Sequence, residues 1–251
     1  MSGHSKWSSI KHQKGVADAK RGQLFTKLAR EIIVLVRQGG SNPDANFKLR
    51  LAIQKARDNN MPMENIDRAI RRGSGDLDGA SLAEMVLEGY GPSGAAILVQ
   101  ALSDNRNRTL QEIRNIFSRG GGSLAESGSV TWLFDSKGLV RVETNNLDTE
   151  DLALKAIDAG AEDVNVENDY VEIQTKPEEL ETVRAALEQG NIPIASAELA
   201  MVPKTALELE EKAALQTLKL LNKLEEMDDV QWVCSNVNFT DSVLEKYQQQ
   251  V

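Results

Sequence analysis

Positive charge and aromatic rings are interleaved at the start of the chain. Lys6, Trp7, Lys11, His12, Lys14, Lys20, Arg21 and Lys27 fall within a stretch holding a single acid, Asp18. That set offers one chemistry. Ammonium and guanidinium groups neutralise phosphates, and a ring among them stacks on a base or enters a groove. The rest of the chain sharpens the contrast. The whole protein carries 29 Lys and Arg against 38 Asp and Glu, a formal net charge of −9. Residues 1–75 hold 15 basic and 6 acidic side chains, or +9, so the remainder holds 14 and 32, or −18. Segregation of this size points to a polyanion as the partner of the first third. Three plainer readings stand beside it: a solvated basic surface, a Trp7 that packs on neighbouring helices, and an arm that meets acidic patches on proteins, this one included.

Other chemistries find little support. His4 and His12 are the only histidines, eight residues apart, and Cys234 is the only cysteine. Zinc ligands sit closer together on ordered elements, so no metal site is expected. A single cysteine excludes an internal disulfide. No G-x-S-x-G elbow accompanies a histidine, and no G-x-x-x-x-G-K-[ST] loop occurs. No G-x-G-x-x-G is read as leading from a strand into a helix. No cofactor, no catalytic set and no small-molecule substrate are therefore expected, and the protein is read as not an enzyme. No run approaches the roughly 18 apolar residues of a membrane span. The apolar run 32–36 is too short and too late for a secretion signal. A cytoplasmic protein, monomeric or weakly oligomeric, is the expectation.

The elements that position the cations follow from periodicity. Leu24, Leu28, Ile32 and Leu35 recur at helical spacing, with Lys20, Lys27, Arg30 and Arg37 on the other side. Gly39 and Gly40 stop this helix. Leu49, Ala52, Ile53 and Ala56 give a second helix over about 46–59, flanked by Arg50 and Arg57. A third begins at Pro62, with Arg71 and Arg72 in its last turn, where the helix dipole favours cations. Residues 1–75 thus read as a basic arm plus a three-helix domain, and the stretch 73–80 as a linker.

Beyond the linker the pattern changes. Strands are expected at 84–88 and 95–101, a helix at 109–118 and a strand at 130–134. Residues 136–202 follow the order βαββαβ, which is ferredoxin-like, and are strongly acidic. A helix over about 205–226 and a strand at 230–235 would then complete the sheet begun at residue 84. The fold class is α+β in three domains: helical at 1–75, discontinuous α+β at 80–135 and 203–240, and an inserted ferredoxin-like domain at 136–202. The run 102–109, Leu-Ser-Asp-Asn-Arg-Asn-Arg-Thr, lies between a strand and a helix. Either Asn107 or Thr109 caps that helix, and Arg106 and Arg108 join its amides around a phosphate, or the loop only satisfies its own backbone.

The same residues carry a resemblance along the whole chain. Gly3-His4-Ser5-Lys6-Trp7, Ile10-Lys11-His12, Asp18-Ala19-Lys20-Arg21-Gly22 and Phe25-Thr26-Lys27 resemble the opening pattern of the YebC/PmpR family. Asn42-Pro43-Asp44-Ala45-Asn46, Asn60-Met61-Pro62, Glu88-Gly89-Tyr90-Gly91-Pro92 and the run 103–109 resemble its later patterns. Gln13 and Gln23 stand where that family often has basic residues, and Gln100 where it often has Glu. The resemblance implies three domains, a bacterial-type cytoplasmic protein and no enzymatic activity. It also implies nucleic-acid binding: promoter DNA, as in transcriptional regulators, or ribosomal RNA, as in factors that ease translation of proline runs. The expected contacts are Lys6, Trp7, Lys11, His12, Lys14, Lys20, Arg21, Lys27, Arg30, Arg50, Arg57, Arg106 and Arg108. A metabolic enzyme and a pure protein-interaction module rank below these readings.

Overall fold

The computed structural model describes residues 18–77, 81–144, 147–167 and 170–250. Lys6, Trp7, Lys11, His12 and Lys14 lie outside the described residues. The chain forms two compact units, Asp135–Val202 and the residues on either side of it.

The larger unit begins with three helices, α1 (Asp18–Gly39), α2 (Phe47–Asp58) and α3 (Met63–Ser74). Leu28, Ile32, Ile33 and Val36 of α1 meet Leu49, Ala52, Ile53 and Ala56 of α2 and Ile66 and Ala69 of α3 in one core. Burying a side chain of this size contributes about 1.5–3 kcal/mol. Gly40, at φ +84°, turns the chain out of α1. Asn46 then fastens the corner. Its amide donates to Leu35 O and Gly40 O, and its Oδ1 accepts from Leu49 N at the start of α2. Gly73 belongs to α3 rather than to the linker. A Cβ there would lie 2.6 Å from Val36 Cβ and 2.9 Å from Ile33 O, so a bare backbone is what lets α3 press on α1. The helix runs to Ser74, two residues past Arg72, and is capped by Gly75 at φ +87°.

A four-stranded sheet follows, in the order β3-β1-β2-β8. Its strands are β1 (Ala83–Tyr90), β2 (Ala96–Ser103), β3 (Ser123–Leu124) and β8 (Val230–Ser235). β8 returns from the far end of the chain to lie antiparallel to β2, with Leu98 opposite Cys234 and Val99 opposite Val233. All of β2 except Gln100 is buried. The helices α4 (Arg106–Arg119), α7 (Glu211–Glu225) and α8 (Asp241–Gln250) complete this layer. Ile113 and Phe117 of α4, Leu218 and Leu221 of α7, and Val243, Leu244 and Tyr247 of α8 share its core. α8 is absent from the sequence reading, although Val243, Leu244 and Tyr247 do have helical spacing.

The expected strand at 130–134 is instead a single 3-10 turn, Thr131–Leu133. Glu88, buried in β1, explains it. Its carboxylate accepts from Gly128 N, Val130 N and Thr131 N at 2.6, 2.7 and 3.0 Å. Backbone donors that a strand would offer its neighbour are used up on that carboxylate. Burial alone pushes the Glu88 carboxyl up. The Gly128, Val130 and Thr131 donors outweigh it and hold the group below the ordinary carboxylate range.

The second unit contains β4 (Phe134–Glu143), α5 (Thr149–Asp158), β5 (Asp163–Val166), β6 (Tyr170–Thr175), α6 (Leu180–Gln189) and β7 (Ile194–Pro203). The sheet order β5-β6-β4-β7 is ferredoxin-like, with β6 antiparallel to both neighbours. Asp148 caps α5 by accepting from Glu150 N and Asp151 N. Val140, Val142, Val171 and Ile173 of the sheet are fully buried, as are Ala156, Leu180 and Val183 of its helices.

Candidate nucleic-acid interface

The helical domain divides its cations between two tasks. One side of α1 is a seam to the acidic turn that follows α7. Lys27 Nζ donates to Glu225 O, and Arg30 Nη1 to Asp228 O and to Asp229 Oδ1, both at 2.7 Å. Gln23 Nε2 donates to Asp228 Oδ1 at 2.8 Å and to Glu226 O. The carbonyls at the end of α7 are the negative pole of its dipole, which draws cations to this point.

Asp229 is the centre of the seam. Besides Arg30 it accepts from Arg108 Nη2 and Ser103 Oγ, each at 3.0 Å, and from Thr109 Oγ1. Its own carbonyl accepts from Leu102 N at 2.7 Å. Burial works to raise the carboxyl. The Thr109, Arg108 and Ser103 bonds and the Arg30 charge overcome it and keep Asp229 below the usual carboxylate range. The run 103–109 therefore acts mainly as an internal clamp. Asn105, not Asn107 or Thr109, caps α4, accepting from Arg108 N at 3.1 Å. Thr109 is fully buried in the clamp.

Three of the expected contacts already have partners inside the protein. The turn at 225–229 returns to Lys27 and Arg30 from some 200 residues away in sequence, and to Arg108 from 121. Arg50 is half-buried, with Nη1 3.3 Å from Pro43 O and its guanidinium 5.7 Å from the Phe47 ring centre. Arg57 is exposed, beside Met63 Sδ. Arg106 is exposed in the first turn of α4. No described residue pairs with its side chain, and a cation at that end of a helix is unfavourable. Lys20 lies in α1 and Arg21 is exposed beside it.

The expected contacts did not include the exposed cations of α3. α1 and α3 leave between them a groove of about 390 Å³. Phe25, Ala29 and Ile33 line it from α1, Asn65, Arg68 and Arg72 from α3, and Met61 from the turn before α3. Arg68 pairs with Glu64 on the open surface at 2.8 Å. Arg72 is exposed, with no side-chain partner among the described residues. The spacing of Arg68 and Arg72, one turn apart on a helix, was the available signal.

Elsewhere, Gly89-Tyr90-Gly91-Pro92-Ser93-Gly94 does spell G-x-G-x-x-G, but it joins antiparallel β1 to β2 and opens no α-helix. Among the described residues no cluster of His, Cys, Asp or Glu is arranged to hold a metal ion. Cys234 is buried, and burial pushes its thiol up, away from reactivity. No helix among the described residues is long and apolar enough to cross a membrane.

A basic helical domain, a sheet closed by the last strand, and a ferredoxin-like unit between its two segments define the class. Family models agree. The TACO1/YebC protein N-terminal domain matches residues 5–76, and the TACO1/YebC second and third domain matches residues 82–237. The chain belongs to the TACO1/YebC family. It is 60% identical over 250 residues to a probable transcriptional regulatory protein of Dehalococcoides mccartyi, covering 100% of both chains. It is 51% identical over 248 residues to one of Persephonella marina, covering 98% and 99%. The crystal structure of a conserved hypothetical protein from Aquifex aeolicus matches with a TM-score of 0.85 and 46% identity, over 92% of this chain and 96% of that one.

Proposed function

We propose that the protein is a nucleic-acid-binding regulator, with DNA-binding transcriptional regulation as its first assignment. The observation that carries this is the charge left over after the internal pairs are made. Once Lys27 and Arg30 are set aside, the helical domain still exposes Arg37, Lys48, Arg57 and Arg71. They stand on a protein of net charge −9. Cations kept in this way serve phosphate better than stability. The names of the Dehalococcoides and Persephonella relatives support the transcriptional side. The chain binds and does not turn over a substrate. A second reading, a ribosome-associated factor on ribosomal RNA or tRNA, is favoured by the α1–α3 groove, whose apolar floor a base-paired duplex does not reach.

The test is binding of the full chain to a DNA duplex and to a structured RNA at 50 and 200 mM salt. With about 6–10 phosphate contacts, affinity should fall roughly 10³–10⁵-fold across that range. A variant with Lys6, Lys11, Lys14, Lys20 and Arg21 changed to Gln should lose most of the binding and most of the salt dependence. Sedimentation with ribosomes from lysate, lost in the variant, assigns RNA; sequence-dependent duplex binding without it assigns DNA. Equal binding by parent and variant sinks the proposal.

A further inference from the structure

The groove between α1 and α3 brings two chemistries together. Its floor is apolar, made by Phe25 and Ile33 with Met61. Its α3 side carries the guanidiniums of Arg68 and Arg72 and the amide of Asn65. A duplex shows such a groove only phosphates and sugars, so the floor would gain nothing from it. The part of a nucleic acid that suits an apolar wall beside cations is a nucleotide whose base has left the stack. The volume, about 390 Å³, lies near the small end of the roughly 300–1,000 Å³ of small-ligand sites, which suits one nucleotide.

The side chains around it divide the work. Arg30 also lines the groove, but its Nη1 is 2.7 Å from Asp229 Oδ1, so it forms wall rather than clamp. Among the described residues Arg68 is tied only to Glu64, in an exposed pair on its own helix, which holds it weakly. Arg72 has no partner among the described residues to give up.

We propose that this groove takes a single unpaired nucleotide, with its base on Phe25, Ile33 and Met61 and its phosphate against Arg72 and Arg68. This deepens the nucleic-acid reading and rests on it. This groove then favours single strands, loops and bulges over uninterrupted duplex. Asn65 offers a donor and an acceptor to the base edge.

The experiment uses the full chain and fluorescein-labelled single-stranded oligoadenylate, as RNA and as DNA, against blunt duplexes of the same length. The single strands should bind more tightly than the duplexes. Arg72→Gln should weaken single-strand binding about tenfold, the low end for a hydrogen bond to a charged group, and leave duplex binding within about twofold. Arg72 is exposed, so the change does not touch the core. Adenosine monophosphate should compete with the single strand and not with the duplex. A tighter RNA complex adds the 2′-hydroxyl to the recognition, and equal RNA and DNA affinities limit it to base and phosphate; both support the site. Equal weakening of single-strand and duplex binding by Arg72→Gln overturns it, because Arg72 is then only one more surface contact. So does an Arg72→Gln protein that binds single strands like the parent. If the parent binds no nucleic acid at all, the broader reading fails with it, a different and recognisable result.

Discussion

Arg30 donates to Asp229 across 2.7 Å, and this contact ties α1 to the turn that leads into β8. The two side chains are 199 residues apart in sequence. Asp229 is buried and serves Arg108, Thr109 and Ser103 as well. Asp229→Asn removes the charge and part of the acceptor capacity. Hydrogen bonds to charged groups contribute about 1.5–3 kcal/mol, and breaking a buried pair costs about 3–5 kcal/mol. The loss should fall in the lower range, because Arg30 and Arg108 can regain water. Urea unfolding of parent and variant measures it. A double-mutant cycle with Arg30→Gln should give a coupling of about 0.5–3 kcal/mol. Zero coupling would mean the two groups are neighbours without interaction.

Glu88 sets a pH dependence of definite sign. Its carboxyl lies lower in the folded protein than in the unfolded chain, so the unfolded state binds the extra proton as acid is added. The stabilisation is complete above the unfolded value, about 4.3. It is lost as pH falls through the folded one. Asp229 acts in the same direction. Glu88→Gln keeps the shape but turns an amide donor toward backbone donors. It should destabilise the protein at pH 7 by about 1.5–3 kcal/mol. The gap between parent and variant should stay level from pH 7 down to about 5 and narrow below that. Urea midpoints across pH 3.5–7 show this. A gap that widens in acid contradicts the assignment.

Two glycines in helices should respond to alanine with opposite signs. Gly73 has Val36 Cβ 2.6 Å from where its own Cβ would stand. Overpacking of that kind costs about 1–3 kcal/mol, more than the helix-propensity gain of about 1 kcal/mol. Gly73→Ala should therefore lower thermal stability. Gly22, in α1, has nothing within 4 Å of such a Cβ. Gly22→Ala should stabilise by about 0.5–1 kcal/mol. If it also weakens nucleic-acid binding, the bare backbone at Gly22 serves the ligand and not the fold.

Local periodicity made the three helices legible, as in Leu28, Ile32 and Leu49, Ile53, and strand and helix order made the ferredoxin-like unit legible. The signals were short in range, and so were the features they described well. Glu88 reads as a polar residue in a strand; nothing near it says that it will gather donors some 40 residues later. Asp229 looks like one acid among several in Glu225-Glu226-Met227-Asp228-Asp229. Its role appears only when Arg30 and Arg108 are brought beside it. For the same reason a count of cations does not show which of them have partners inside the protein. Lys27 and Arg30 have the charge and phase of phosphate contacts, yet the end of α7 reaches them first. Arg72 was legible as a last-turn cation, but its groove exists only where α3 lies on α1.

Arg106 and Arg108 stand two residues apart and should behave oppositely. Arg108 is held by Asp104 and Asp229, each at 3.0 Å. Arg108→Gln strips a cation from a buried carboxylate. It should lower stability, with little direct effect on ligand affinity. Arg106 sits at the positive end of α4, with no acid in that first turn to offset it. Arg106→Gln relieves that repulsion and should gain about 0.3–1 kcal/mol. If Arg106 is retained for phosphate, the same change lowers affinity and reduces the slope of log K against log salt by about 0.9 for DNA or about 0.7 for a single strand. Thermal unfolding and a salt titration on the two variants separate these effects. An Arg106→Gln protein that is more stable and binds nucleic acid like the parent confines the interface to the helical domain.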